Sequence, residues 1–472
     1  MQIAILHYHL RPGGVTRVME LAWSALTDRG HEALVLTGEP QPPSGKIPER
    51  CVRVVSELRY GAAATENLSS AVDAACRDHW GSPADLLHTH NHALGKNFSL
   101  PGTVAGWAKD GRALILQLHD FAENARPANY RGLLDAFGGS PALSNILYPH
   151  GARVRLVCLT QGAASRLARA GAIVLPNPIV LPTGGENFSQ PEFGGGDLFV
   201  YPTRGIIRKN LGETLLHAAL AGDGENYLIT SAPADGKELA AYSRWQQLAG
   251  DLGLPVTFDA SRKFGRPVYD FLHAATHCLA TSMEEGFGMA FLEPWMAGKG
   301  LVGRNLPAVT RDFQEAGVDL SSLYERWEIP SAFLDRSRIN EMIAARVRAL
   351  LEAYGLPMTP DSLARAKAAV WSSSGADFGR LDVETQRTLI AQARTLGLKG
   401  PPQKPPTLTT IKNNRALIDG AYSLATYGER LMAVYRQVLE EPAGAAEFLD
   451  ARDVLLAVLN LEDFAAIRCP EA

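Results

Sequence analysis

Cysteine is scarce, with five residues at positions 51, 76, 158, 278 and 469 and no C-x-x-C pair or His/Cys cluster among them. That leaves neither a zinc-ligand spacing nor a disulfide framework, and it suits a reducing compartment. No apolar run approaches the ~18 residues that a membrane-spanning helix requires. Residues 1–10 are short for a secretory leader and run at once into Arg11-Pro12-Gly13-Gly14, so no signal peptide is read there. Strong charge of either sign is missing as well. A formal net charge of −4 argues against nucleic acid or an anionic membrane surface as the main partner. The G-x-G-x-x-G dinucleotide fingerprint is absent too. What remains is a cytoplasmic globular protein with no integral membrane association.

The chain is long, at 472 residues, with 46% hydrophobic and 20% charged residues. At ~100–200 residues per domain this implies two or three domains with large cores. Residues 1–180 alternate short apolar runs with helical patterns, as in a parallel α/β sheet. Strands are expected at 3–6, 33–37, 85–88, 113–118, 154–159 and 172–175, with a first helix over 15–28. A breaker-rich stretch holds Pro176, Pro178, Pro182, Gly184, Gly185, Pro191 and Gly194 to Gly196, and reads as a linker. The alternation then restarts, with strands at 198–201, 227–230, 256–258, 276–281 and 300–303 and helices over 211–221 and 235–250. Two doubly wound sheets of this kind bind ligands at the carboxyl ends of their strands, here facing a cleft. From 318 to 396 the pattern is helical and polar without a clear strand. A Pro-rich break at 400–406 is followed by an amphipathic helix over 422–439 and a last helix over 444–459.

Ala280-Thr281-Ser282-Met283-Glu284-Glu285-Gly286-Phe287-Gly288-Met289-Ala290-Phe291-Leu292-Glu293 is the stretch with the most chemistry. A buried strand ends, glycines flank a phenylalanine, and a helix is expected over 287–298. Amides of Gly286, Phe287 and Gly288 at a helix N-terminus would favour an anion. On helical geometry Glu285 and Glu293 stand roughly 12 Å apart, rotated by about 80°. A glycoside-hydrolase pair sits closer, on the order of 5 to 9.5 Å. The wider spacing suits a long ligand held by hydroxyls at both ends with phosphates between. The plainer alternative is a first-turn dipole partner and a solvated helix residue.

Arg204 and Lys209 follow the strand at 198–201 and could converge on a diphosphate, the first as a bidentate fork and the second as a point charge. Two solvated loop cations are the alternative. Gly13-Gly14 opens the first helix after the first strand and would let backbone approach a phosphate or sugar. His119-Asp120 ends another strand. His88, His90 and His92 alternate at a further strand end, where a polar rim is preferred to a metal site. Arg11, Arg17, Lys96 and Arg126 fall on the same side and could meet an anionic acceptor.

With these residues placed, the chain resembles the retaining glycosyltransferases of family 4, which have the GT-B fold. The resemblance rests on Glu285-Gly-Phe-Gly-x4-Glu293, Arg204-x4-Lys209, Gly13-Gly14, His119-Asp120 and Leu175-Pro176-Asn177-Pro178. It covers roughly 1–310 and the helix at 422–439. It implies an N-terminal Rossmann-like acceptor domain (1–183) and a C-terminal Rossmann-like donor domain (184–317). A helical insertion (318–420) and C-terminal helices packing back across the domains (421–472) would complete the chain. It further implies hexose transfer from a nucleotide diphosphate sugar to a hydroxyl acceptor. Glu293 would bind ribose hydroxyls. Glu285 with the Phe287 and Gly288 amides would bind the donor sugar, and Arg204 and Lys209 the leaving diphosphate. Gly13 and Gly14 would approach donor phosphates or acceptor, and His119 the reacting sugar. Arg17, Lys96, Asp120 and Arg126 are the acceptor-side candidates. No metal or other cofactor is expected, because the two cations take the charge-neutralising role. Pro294 departs from the family's usual alanine and disfavours helical geometry at Glu293. The lack of a basic amphipathic surface helix favours a small soluble acceptor. Alternatives are a disaccharide phosphorylase or another sugar-nucleotide enzyme of this fold and, from a different class, a non-catalytic sugar-nucleotide-binding or scaffold protein.

Overall fold

The computed structural model describes residues 1–62, 65–181, 195–234 and 236–469. They fall into two compact units, Met1–Pro178 with Tyr422–Asn460, and Ile179–Ala421 with the chain from Leu461 on. Most of the breaker-rich linker, residues 182–194, lies outside the described residues.

The first unit contains β1 (Gln2–His7), β2 (Glu32–Thr37), β3 (Val52–Val54), β4 (Leu86–His90), β5 (Leu114–Leu118), β6 (Pro149–His150), β7 (Val154–Cys158) and β8 (Ile173–Val174). Seven of them form one parallel sheet in the order β3-β2-β1-β4-β5-β7-β8. β1 is apolar between its ends. Ile3, Ala4, Ile5 and Leu6 are all fully buried, the pattern of a parallel strand covered on both faces. β1 has β2 on one side and β4 on the other, so the crossovers change direction between β1 and β4. The carboxyl ends of those two strands therefore flank the switch point where such sheets bind ligands.

Helix Leu424–Glu440 joins this unit from far along the sequence. Its Tyr427, Leu431, Met432, Tyr435 and Val438 enter the same core as Ile3, Ile5 and Met19. The spacing of these residues is the amphipathic stripe read from the sequence. The helix expected over 444–459 forms only in its second half, Ala451–Val458, with Asp450 capping the amides of Arg452 and Asp453. Its first half instead gives β17 (Glu447–Phe448), antiparallel to β6. An aspartate side chain that accepts from the amides ahead of it starts a helix, and so it ends the strand before it.

The second unit repeats the plan. β9 (Leu198–Arg204), β10 (Asn226–Ser231), β11 (Val256–Thr257), β12 (His277–Ala280), β13 (Gly300–Arg304) and β14 (Leu323–Tyr324) make a parallel sheet in the order β11-β10-β9-β12-β13-β14. Its switch point lies between β9 and β12. The expectation of no strand over 318–396 is corrected by β14 and by the antiparallel pair β15 (Glu328–Pro330) and β16 (Gly375–Asp377). Two- and three-residue strands carry too little alternation to be read from periodicity. The remainder of that stretch is helical, including Arg336–Ala353, Pro360–Val370 and Val383–Gln392.

An ion-pair cluster fastens this helical part to the sheet. Arg304, at the end of β13, donates from Nε and Nη2 to Glu213 (2.9 and 2.6 Å) and from Nη1 and Nη2 to Asp377 (2.9 and 2.8 Å). The Tyr324 hydroxyl donates to Glu213 at 2.8 Å, and the Trp327 amide to Asp377 at 3.1 Å. All three charged side chains are essentially without exposure. Gly379 is what allows the approach, since a Cβ there would stand 2.6 Å from Arg304 Nη2 and 2.7 Å from Glu213 Oε2.

Candidate active site

At the switch point of the second sheet, two strand ends are stitched together. The turn after β9 runs through a single 3-10 turn, Ile207–Lys209, into the helix Leu211–Ala219. Asn210 makes the join in the left-handed region (φ 50°), with its side-chain amide donating to Glu213 at 2.9 Å. The loop after β12 docks on this turn through the Met283 amide, which donates to the Arg208 carbonyl at 2.9 Å. The Thr281 hydroxyl lies 3.1 Å from the Lys209 carbonyl and 3.2 Å from that of Asn210. These bonds fix the backbone on both sides.

Their result is that Lys209 and Glu285 meet. Lys209 Nζ donates to Glu285 Oε1, with side chains only 12% and 8% exposed. The Ser282 hydroxyl donates to the same oxygen at 2.7 Å and pairs with the Tyr201 hydroxyl at 2.6 Å. Burial alone would raise the Glu285 pKa, but Lys209 and Arg208 outweigh it and hold the carboxyl below its ordinary range. Glu285 is therefore a carboxylate, pinned by a cation and a hydroxyl.

Arg204 closes β9 at the same sheet end and is exposed. Phe287 is buried against the Phe313 ring, edge to face at 5.3 Å. Gly288 adopts φ +87°, and a Cβ there would meet the Phe291 and Val309 side chains at 2.8 Å. The helix expected over 287–298 is corrected. The chain makes a 3-10 turn, Met289–Phe291, and then a four-residue helix, Glu293–Met296, with Pro294 in its first turn. Pro294 has no amide hydrogen to continue a helix from the preceding turn and is tolerated in the first turn of a new one, so the helix restarts at Glu293 instead of continuing. The 12 Å spacing drawn from helical rise does not apply to this broken path. Nor do the amides of Gly286, Phe287 and Gly288 open a long helix with a macrodipole. Glu293 is the first residue of the restarted helix and is 8% exposed, so it is not the solvated residue of the plainer reading.

The first unit holds the remaining candidates. Gly13 caps and Gly14 begins the helix Gly14–Thr27, both exposed, with the Arg17 amide donating to the Gly13 carbonyl at 3.0 Å. Asp120 and Arg126 pair with each other at 2.8 Å, and Lys96 stands over the Tyr60 ring at 5.8 Å. His119 is buried. Its Nε2 bonds His90 Nδ1 at 2.8 Å, and the two rings stack. His90 stacks in turn on His88, whose Nδ1 bonds the Tyr435 hydroxyl (2.6 Å) and whose Nε2 bonds Gln117 Oε1 (2.9 Å). Asn91, held at φ 56°, accepts the amides of His119 (2.8 Å) and Asp120 (3.2 Å) on its side-chain oxygen. The polar-rim reading of His88, His90 and His92 is corrected, because none of the three has any exposed surface. Their strand is central, so its carboxyl end is covered by neighbours on both sides. Among the described residues no group of three His, Cys, Asp or Glu side chains is placed to hold a metal ion.

Burial keeps these imidazoles neutral. It lowers the pKa of His88 to about 3 and those of His92 and His119 to about 4, with His90 also well below its ordinary value. Glu123 moves the other way, to about 7, because its burial outweighs its own amide and the Tyr148 hydroxyl, which stands 3.0 Å from each oxygen. The signs oppose one another. A histidine with a depressed folded pKa binds fewer protons than the unfolded chain between that pKa and ~6.5, so its stabilisation is lost as pH falls through this window. Glu123, raised above its unfolded value, loses its stabilisation as pH rises towards 7. The histidines outnumber it, so the first unit is expected to melt several degrees lower at about pH 5 than at about pH 7.5. Glu123→Gln should steepen that decline. A melting temperature that stays flat or rises on acidification would refute the neutral assignment.

Sequence reasoning missed several partners. Tyr201 and Ser282 read as ordinary strand and strand-end residues, and Asn91 carries no signal beyond its place after a strand. Glu284 carries no signal that separates it from its neighbour Glu285, although Arg468 holds it at 2.6 Å.

Solved proteins share this fold over nearly the whole chain. The Anabaena protein HepE, in complex with UDP and glucose, is 15% identical with a TM-score of 0.54, covering 92% of this chain and 99% of its own. Sucrose-phosphate synthase from Thermosynechococcus elongatus is 14% identical with a TM-score of 0.54, covering 92% and 98%. A glycosyltransferase from Rickettsia africae is 11% identical with a TM-score of 0.54, covering 93% and 99%. No family model and no curated protein matches the chain. The fold is therefore GT-B, two Rossmann-like parallel-sheet units, with glycosyltransferases among its structural neighbours. Among the described residues no helix is long and apolar enough to cross a membrane.

Proposed function

We propose that this chain is a cytoplasmic retaining glycosyltransferase that moves a hexose from a nucleoside diphosphate sugar to a hydroxyl acceptor. The observation that carries the reading is the buried Lys209–Glu285 pair at the β9/β12 switch point, with Arg204 ending β9 at the same sheet end. A donor of this class brings negative phosphates and sugar hydroxyls to one place. Lys209 and Arg204 would take the charge that builds on the leaving diphosphate, so that no metal is required. Glu285, already ionised, would accept donor-sugar hydroxyls together with the Phe287 and Gly288 amides. Glu293 would bind the ribose.

In the first unit, His119 would present a neutral imidazole to the reacting sugar, its ring fixed by His90. Gly13 and Gly14 would admit donor phosphates or acceptor, and Arg17, Lys96, Asp120 and Arg126 would serve the acceptor. Retention fits front-face attack, in which the departing diphosphate takes the acceptor's proton. The neighbour seen with UDP and glucose supports a uridine donor as the first to try.

A thermal-shift panel of UDP, GDP and ADP sugars, followed by nucleotide release with hydroxyl acceptors, tests the reading. The matching donor should raise the melting temperature, since it binds only the folded state. No shift with any donor, together with no release, would overturn it. A donor shift without turnover across a broad acceptor panel would point to a binding protein, and phosphate-dependent release of sugar phosphate to a phosphorylase.

A further inference from the structure

Residues 461–469 are placed where the proposed chemistry would occur. From Leu461 the chain rejoins the second unit and runs as two 3-10 turns, Leu461–Asp463 and Ala466–Arg468. Its backbone is fastened by two arginines of the helical part. Arg380 Nη1 donates to the Glu462 and Phe464 carbonyls (3.1 and 2.8 Å), and Arg346 Nη1 to the Cys469 carbonyl (2.8 Å). Ala465 and Ile467 pack with Met283 in a small apolar cluster that also takes in Ile207 and Val383. Met283 immediately precedes the two glutamates, and Ile207 opens the turn that carries Lys209. One short segment thus touches both halves of the site.

Its only long cation on this face, Arg468, bonds Glu284 Oε2 through Nη2 at 2.6 Å, with side chains 11% and 14% exposed. Glu284 needs such a partner. It is mostly buried, it neighbours Glu285 in sequence, and it acts electrostatically on Lys209. Without Arg468, the attraction would draw Glu284 towards Lys209, which already neutralises Glu285. Two carboxylates on one ammonium would leave little positive potential for a third anion.

We infer that the segment Leu461–Cys469 is a strap that positions the Glu284–Glu285 loop, and that Arg468 is a positioning residue. It withdraws Glu284 from Lys209, so that this cation can receive a diphosphate. The inference rests on the donor role proposed for Lys209, and its test separates the two.

Calorimetry on the full chain would measure binding of UDP, GDP and ADP by the parent protein and by Arg468→Gln, Arg468→Lys, Glu284→Gln and the Arg468→Gln/Glu284→Gln double variant. Arg468→Gln should weaken binding about tenfold, through an uncompensated neighbouring charge. Removing that charge should restore it, with the double variant within about twofold of the parent, a coupling that mere loss of packing would not produce. Arg468→Lys should bind nearly as the parent does, and Glu284→Gln at least as tightly. Equal binding by Arg468→Gln, or a double variant no better than that single one, would overturn the positioning role. Should Arg468→Gln fail to fold by circular dichroism, weakened binding in Glu284→Gln would overturn it equally. A parent protein that binds none of the three nucleotides would instead overturn the donor reading, and this inference with it.

Discussion

Lys209→Ala is expected to lower kcat/KM for transfer from a nucleoside diphosphate sugar by about 10²–10³-fold, the loss typical when one preorganised charge-stabilising group is removed. Two effects act together. The ammonium that would meet the leaving diphosphate disappears, and Glu285 loses its main counter-charge while remaining buried. Burial then governs the carboxyl, so its pKa should rise. The residual activity should therefore climb with pH over a range where the parent protein is flat. Lys209→Arg would keep the charge but exchange a point cation for a planar fork, and should recover only part of the rate. Steady-state kinetics across pH would check both statements. A Lys209→Ala protein with parental kcat/KM would remove this lysine from the mechanism.

Glu213→Ala should destabilise the second unit by about 3–5 kcal/mol, as expected when one member of a buried charge cluster is deleted and its partner is left behind. Arg304 would lose three of its hydrogen bonds, the Tyr324 hydroxyl its acceptor, and the Asn210 amide its contact at the base of the Lys209 turn. Asp377 alone would remain to balance the guanidinium. Urea denaturation, monitored by tryptophan fluorescence, would read the change because Trp327 lies against this cluster. Replacing Glu213, Arg304 and Asp377 together with apolar residues of similar volume should cost far less, since no charge is then left unpaired. A Glu213→Ala protein as stable as the parent would show the cluster to be energetically idle.

Much of the fold was legible because it is written in runs. The strands at 3–6, 33–37 and 113–118 are short, apolar and separated by helical spacing, and each forms within a residue or two of its expected bounds. The helix Leu424–Glu440 was legible from its stripe alone. What could not be read depends on which distant pieces meet. Lys209 and Glu285 are 76 positions apart, and both motifs were visible, but their direct pairing was not. Ser282 and Tyr201 join that pair through hydroxyls whose residues suit any β-strand. Arg304, Glu213 and Asp377 come from three elements, two of them separated by the helical part, and no local pattern links them. Pro294 was a visible warning at Glu293. A hydrophobic stripe still suggested one helix where the proline imposes two short pieces.

The chain's passage between its units has a practical consequence. It leaves the first unit after Pro178, returns at Tyr422, and departs again after Asn460. Neither unit is a continuous piece of sequence, so a gene cut at the linker would yield two incomplete fragments. The front fragment would lack Tyr427, Leu431, Tyr435 and Val438 from its core. A fragment ending at Ala421 would lack the nine residues of the strap that embrace its own glutamate loop. Cleavage at one site should therefore leave the two products bound to each other, and making either unit alone would require joining two separate stretches of sequence.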